Sequence, residues 1–156
     1  MASDPAQPSS ASPATVLVVD DNKDAVDIIT RLLVQKGLIP LCAYSGQECL
    51  DIVRNQPVDV IILDVMMPGM DGLEVCRQLK NIVPTLPVIL LTAKDDMATR
   101  TAGMSLGVSE FVVKPVNHRD LLDRVQTQLS TRQWEREIDQ ASATIDLAKK
   151  KEGDEL

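Results

Sequence analysis

The sequence predicts an α/β fold: a doubly wound parallel sheet of five strands, with a helix following each strand. Three observations lead there. Short, uninterrupted apolar runs such as Val60–Leu63 and Val88–Leu91 have the pattern of strands buried on both faces. Between them lie segments whose apolar residues recur at helical spacing, so strands and helices alternate along the chain. The runs also end in residues with charge or a hydroxyl: Asp20-Asp21, Asp64, Thr92 and Lys114. In such sheets the carboxyl ends of the strands line a common crevice.

Taken in order, the Pro-, Ser- and Ala-rich stretch before Thr15 has no periodicity and reads as a disordered leader. Thr15–Val19 is the first strand, and Asp20-Asp21-Asn22 turns the chain and caps the first helix. Val26, Ile29, Leu32 and Leu33 place that helix over Lys23–Lys36, stopped by Gly37. Leu38–Ala43 is the second strand. Ser45 and Glu48 form a capping box that opens a helix with Leu50 and Val53 facing the sheet. Asn55-Gln56-Pro57 ends it before the third strand, which stops at Asp64.

Pro68-Gly69 and Asp71-Gly72 punctuate a turn. Leu73, Cys76 and Leu79 then mark the third helix, and Pro84 and Pro87 bracket a break before the fourth strand, Val88–Leu91. A weaker stripe of Ala98, Ala102 and Leu106 predicts a helix over Asp96–Leu106. Glu110–Val113 is the fifth strand, followed by Lys114-Pro115 and a helix from about Asn117 carrying Leu121, Leu122, Val125 and Leu129. Beyond it, Trp134, Ile138, Ala141, Ile145 and Ala148 fall at heptad-like steps. With two alanines the seam is weak, and it reads equally as a dimerising or domain-linking helix and as a solvated tail.

Composition narrows the function. At 156 residues, 44% apolar and 25% charged, the chain has room for one domain and a smaller appendage. A formal charge of −7 argues against direct binding of nucleic acid by this chain. Cys42, Cys49 and Cys76 lack metal-ligand spacing, and His118 is the sole histidine, which leaves little for a zinc site or a histidine-based triad. The cysteines suit apolar packing in a reducing compartment. Without a signal segment or an apolar run of membrane-spanning length, the expected location is the cytoplasm, with no membrane partner.

The strand ends suggest a reaction. Asp20, Asp21 and Asp64 crowded together leave negative charge to be neutralised, and Mg²⁺ is the hard, oxygen-seeking cation suited to that. Lys114 supplies a second positive charge and Thr92 a hydroxyl donor. With no imidazole or thiolate in position, a carboxylate is the group open to covalent modification. Attack by Asp64 on phosphorus, with charge on the phosphoryl oxygens balanced by the metal and Lys114, fits the set. Each residue also has a plain structural role: Asp20 and Asp21 as caps, Thr92 in a turn, Lys114 as a surface charge.

Together, Asp20-Asp21, Asp64 with Pro68 and Asp71-Gly72 after it, Thr92-Ala93 and Lys114-Pro115 resemble the receiver (CheY-like) domain of two-component response regulators. The resemblance implies a flavodoxin-like strand order of 2-1-3-4-5. It divides the chain into a leader (1–14), a receiver (15–130), a helical extension or linker (131–151) and a frayed tail (152–156). It also implies that Asp64 is the phosphoacceptor. Mg²⁺ is then held by Asp21, Asp64 and the Met66 carbonyl, with Asp20 acting mainly through water, while Thr92 and Lys114 contact the phosphoryl group. A cis Lys114-Pro115 peptide and a switch linking Thr92 to Phe111 are implied by the same likeness. The implied chemistry is Mg²⁺-dependent self-phosphorylation and autodephosphorylation, not turnover of a separate substrate.

Implied partners are a sensor histidine kinase or phosphotransfer protein, and a downstream protein or a C-terminal output domain; a homodimer through the extension is a further expectation. Val26, Asp27 and Thr30 on the first helix are the candidate kinase contacts, and Met66 and Lys94 flank the path of attacking water, where an apolar Met66 favours slow or moderate hydrolysis. The alternative is a pseudo-receiver, a constitutive interaction or dimerisation module whose acidic pocket is never phosphorylated. A nucleotide-binding enzyme or dehalogenase-like phosphatase fits poorly: no GxGxxG follows the first strand, and Asp64-Val65-Met66 lacks a second acidic residue.

Overall fold

Among the described residues strands and helices alternate from Thr15 onward. Thr15–Val19 (β1) leads to Lys23–Gln35 (α1), Ile39–Ala43 (β2) to Gly46–Asn55 (α2), and Val60–Asp64 (β3) to Gly72–Ile82 (α3). Val88–Thr92 (β4) leads to Met97–Ser105 (α4), and Glu110–Val113 (β5) to a fifth helix, α5, running from 118 to 132. The computed structural model describes residues 13–132 except Lys94. The leader before residue 13 and the Trp134–Ala148 seam lie outside the described residues.

All strands pair in parallel, as the apolar runs predict, in the order β2-β1-β3-β4-β5 that the receiver resemblance implies. β3 and β4 are buried at every position, which is why their sequences run apolar instead of alternating. Successive residues feed opposite faces. Leu17, Val19, Ile61, Leu63 and Leu90 pack with Leu50, Val75 and Leu79 of α2 and α3 on one side. Val16, Val18, Val60, Ile62 and Ile89 pack with Val26, Leu33, Leu121 and Val125 of α1 and α5 on the other. Among the described residues no helix is long and apolar enough to cross a membrane.

Local signals set the helix starts. Asn22 caps α1 by accepting from the Asp24 and Ala25 N–H groups. Ser45 caps α2, and Glu48 reaches back to the Tyr44 N–H at 2.8 Å, one residue earlier than in a standard capping box. Asp71 caps α3. At the floor of the sheet, Arg132 donates to the Thr85 carbonyl at 3.0 Å and its Nε lies 3.9 Å from Asp59, whose carboxylate accepts from the Thr15 N–H at 2.8 Å. The first strand and the last described turn of α5 are thereby held to the same place.

The fourth helix departs from expectation. Leu106, at the C-cap, packs against the core, but Ala98 is exposed and Ala102 only partly covered, so the two alanines do not form the packed face; Gly103 is the buried residue of α4. The cause lies on β5. The Phe111 ring fills the space against Gly103, and a large partner there leaves no room for a side chain on the helix.

Candidate functional site

The carboxyl ends of β1, β3, β4 and β5 meet at one end of the sheet. Asp20 and Asp21 follow β1, Asp64 ends β3, Thr92 ends β4 and Lys114 follows β5. One carboxylate oxygen from each of Asp20, Asp21 and Asp64 lies within 4.8 Å of the others. Asp20 and Asp64 are buried and Asp21 is exposed, so the cluster is rooted in the protein and open to solvent on one side. Three hard oxygen donors at that separation have the chemistry of a divalent-cation site.

Asp64 is held from two directions. Lys114 Nζ lies 2.7 Å from its Oδ1, and the Met66 N–H donates to the same oxygen at 3.3 Å. The lysine is positioned by its own backbone, since its N–H donates to the Thr92 carbonyl at 2.8 Å and its peptide bond to Pro115 is cis. The loop after Asp64 returns on itself tightly. Gly69 has φ of +78°, a left-handed conformation that suits glycine, and the Gly72 N–H donates to the Val65 carbonyl at 3.0 Å. A Cβ at 72 would stand 2.8 Å from both the Asp64 carbonyl oxygen and Val65 Cα. Backbone meets backbone there, and only glycine fits.

Asp20 carries the electrostatic strain of the cluster. Burial pushes its carboxyl up to about 6, and the charge of Asp64 and a side-chain hydrogen bond with Asp21 act in the same direction. The Asn22 N–H, donating to Asp20 Oδ1 at 3.0 Å, and the Lys114 ammonium pull the other way without cancelling the rise. A cation bound between these carboxylates would remove the conflict.

Thr92 presents a different irregularity. It is 1% exposed, and its Oγ1 has no hydrogen-bond partner among the described residues. A buried hydroxyl without a partner is costly and marks a donor reserved for something else. Thr92 also shares a sheet face with Phe111: Leu90 lies two residues before Thr92, is paired in register with Phe111, and packs in the same cluster as that ring.

The cleft over the cluster encloses about 500 Å³. Sequence reasoning identified its polar floor and Pro115 but missed the walls formed by Ala25, Ile28, Val116 and His118. Val26 is corrected as a kinase-contact candidate, because it is fully buried beneath α1. Its spacing with Ile29 and Leu33 already placed it on the core-facing stripe; Asp27 is exposed and Thr30 half-buried on the outer side. Met66 is 69% exposed and lines the cleft, whereas Lys94 lies outside the described residues.

A family model described as the response regulator receiver domain matches residues 16–126. The chain belongs to that family. Among solved structures, this receiver is similar to a response regulator receiver domain protein from Clostridium thermocellum, with 32% identity over 78% of this chain and 98% of that one, at a TM-score of 0.73. It is also similar to a Francisella response regulator receiver domain, with 30% identity over 76% of this chain and 98% of that one, at a TM-score of 0.71. A third similarity is to the receiver domain of a signal transduction histidine kinase from Syntrophus aciditrophicus, with 31% identity over 76% and 91% of the two chains and a TM-score of 0.71.

Proposed function

We propose that this receiver accepts a phosphoryl group on Asp64 from a sensor histidine kinase or phosphotransfer protein, and passes the signal on by altering a protein-binding surface. The observation that carries the reading is the Asp64–Lys114 pair at 2.7 Å, set beside two further carboxylates at the carboxyl edge of the sheet. With Oδ1 held by Lys114 and the Met66 N–H, Oδ2 is the oxygen offered to phosphorus. As the Oδ2–P bond forms, the P–N bond of a phosphohistidine breaks, and the imidazole departs with a solvent proton.

Asp21, Asp64 and the Met66 carbonyl are the proposed direct ligands for Mg²⁺, with Asp20 acting mainly through water, and the ion when bound supplies charge neutralisation to the phosphoryl oxygens. Lys114 turns from the carboxylate to a phosphoryl oxygen. The unpartnered Thr92 hydroxyl gains its partner there, as donor to another oxygen. Movement of Thr92 is felt by Phe111 on the same sheet face, so phosphorylation shifts a population between two arrangements of the α4–β5–α5 surface. The proposed functional unit is 15–130, with an extension leading to a partner, a second copy or an output domain.

Acetyl phosphate with Mg²⁺ tests the reading by intact mass. The expected result is one phosphoryl adduct on the wild-type protein and none on Asp64→Asn. No adduct with several small donors would favour the constitutive module instead.

A further inference from the structure

α4 is the helix most weakly anchored to the sheet. α1 buries Val26, Ile29 and Leu33, and α2 and α3 each bury four residues, whereas α4 buries Gly103 alone. A glycine inside a helix weakens it relative to alanine, so its presence at the contact point needs a packing reason. Phe111 supplies one. A Cβ at position 103 would lie 2.9 Å from Phe111 Cε1, 3.0 Å from Cζ and 3.4 Å from Val108 Cγ2. The closest atoms belong to the far end of the ring and not to backbone. The ring is therefore what must yield when a methyl group is added.

We infer that Gly103 is a positioning residue for Phe111: its missing side chain is the seat that fixes where the ring lies and how closely α4 rests on β5. The consequence for signalling rests on the receiver reading above. A ring already displaced from its seat has less far to move when Asp64 is modified, and the change arises without any contact with the carboxylate cluster, Lys114 or Thr92. Gly103 thus sets the resting position of the surface that phosphorylation adjusts.

Phe111 is the chain's one phenylalanine, so protein labelled with 4-fluorophenylalanine gives a single ¹⁹F resonance from this ring. The expected result is a displaced resonance in Gly103→Ala and an unmoved one in the control Ala98→Ser, at an exposed site on the same helix. An unmoved resonance in Gly103→Ala overturns the inference. Stability gives an independent check, because leucine at 111 lacks the Cε and Cζ atoms that crowd a residue at 103. In a Phe111→Leu background, Gly103→Ala lowers the unfolding equilibrium constant by about fivefold, the helix-propensity gain of alanine over glycine. With Phe111 present that gain is lost, and an equal gain in both backgrounds counts against the seat.

Beryllofluoride with Mg²⁺ separates the seat from the function it is tied to. It is expected to move the wild-type resonance, and to move the Gly103→Ala resonance less. If it moves neither while Gly103→Ala remains displaced, the switch reading fails and the seat stands. If both move equally, the link between seat and switch is overturned.

Discussion

Replacing Thr92 by valine should make the unphosphorylated protein more stable while impairing its chemistry. Thr92 is 1% exposed, and its Oγ1 is buried without a hydrogen-bond partner. An unsatisfied buried polar group costs roughly 1–3 kcal/mol, and a buried methyl group in its place contributes about 0.8 kcal/mol. Valine keeps the branched shape, and its strand preference matches the end of β4. We therefore expect Thr92→Val to raise unfolding free energy by about 1–3 kcal/mol, measured by urea denaturation without divalent metal or phosphodonor. Phosphorylation by acetyl phosphate should slow by up to about a hundredfold, the scale for loss of one donor to a charged transition state. Thr92→Ser, which keeps the hydroxyl, should retain most of the rate. A loss of stability above about 1 kcal/mol in Thr92→Val would refute the reasoning, because it would show that the hydroxyl already has a partner worth that much.

The geometry leads to three further outcomes. The Asp20 carboxyl titrates at about 6 in the fold against an ordinary 3.8, so its contribution to metal-free stability is fully present below 3.8 and lost as pH rises through about 6. The loss amounts to at most about 3 kcal/mol, and the difference in stability between Asp20→Asn and wild type should grow in the variant's favour from pH 4 to pH 7. Gly72→Ala places a Cβ 2.8 Å from the Asp64 carbonyl oxygen and from Val65 Cα; thermal denaturation should show a loss of about 2 kcal/mol or more, as expected for overpacking against backbone. Burial pushes the thiols of Cys49 and Cys76 up to about 12, so a disulfide reagent at pH 8 should find only the half-buried Cys42 in the folded protein and all three cysteines in denaturant.

Much of the site was legible because it lies where strands end. A strand buried on both faces shows itself as an apolar run, and the first residue that breaks the run marks the rim of the sheet. That logic located Asp20, Asp64, Thr92 and Lys114, and the structure gathers these strand ends at one edge. α4 was harder, because a stripe of small residues does not distinguish a packed face from a bare one. Its contact is set by the Phe111 ring from another element, a partner that helical spacing does not reveal. Val26 shows the opposite case: its three- and seven-residue spacing to Ile29 and Leu33 identified a buried residue, and placing it on a docking surface ignored that signal. The cleft walls, Pro115, Val116 and His118 against Ala25 and Ile28, come together only when β5 is laid down and the loop after it meets α1.

The central claim concerns one carboxylate, and trapping the acyl phosphate tests it most directly. After incubation with acetyl phosphate and Mg²⁺, borohydride reduces an aspartyl phosphate to homoserine, whose position peptide mapping can read. The account predicts homoserine at position 64 and nowhere else, with Asp20 and Asp21 unchanged. Homoserine at another aspartate, or at none while the protein binds Mg²⁺, would contradict it.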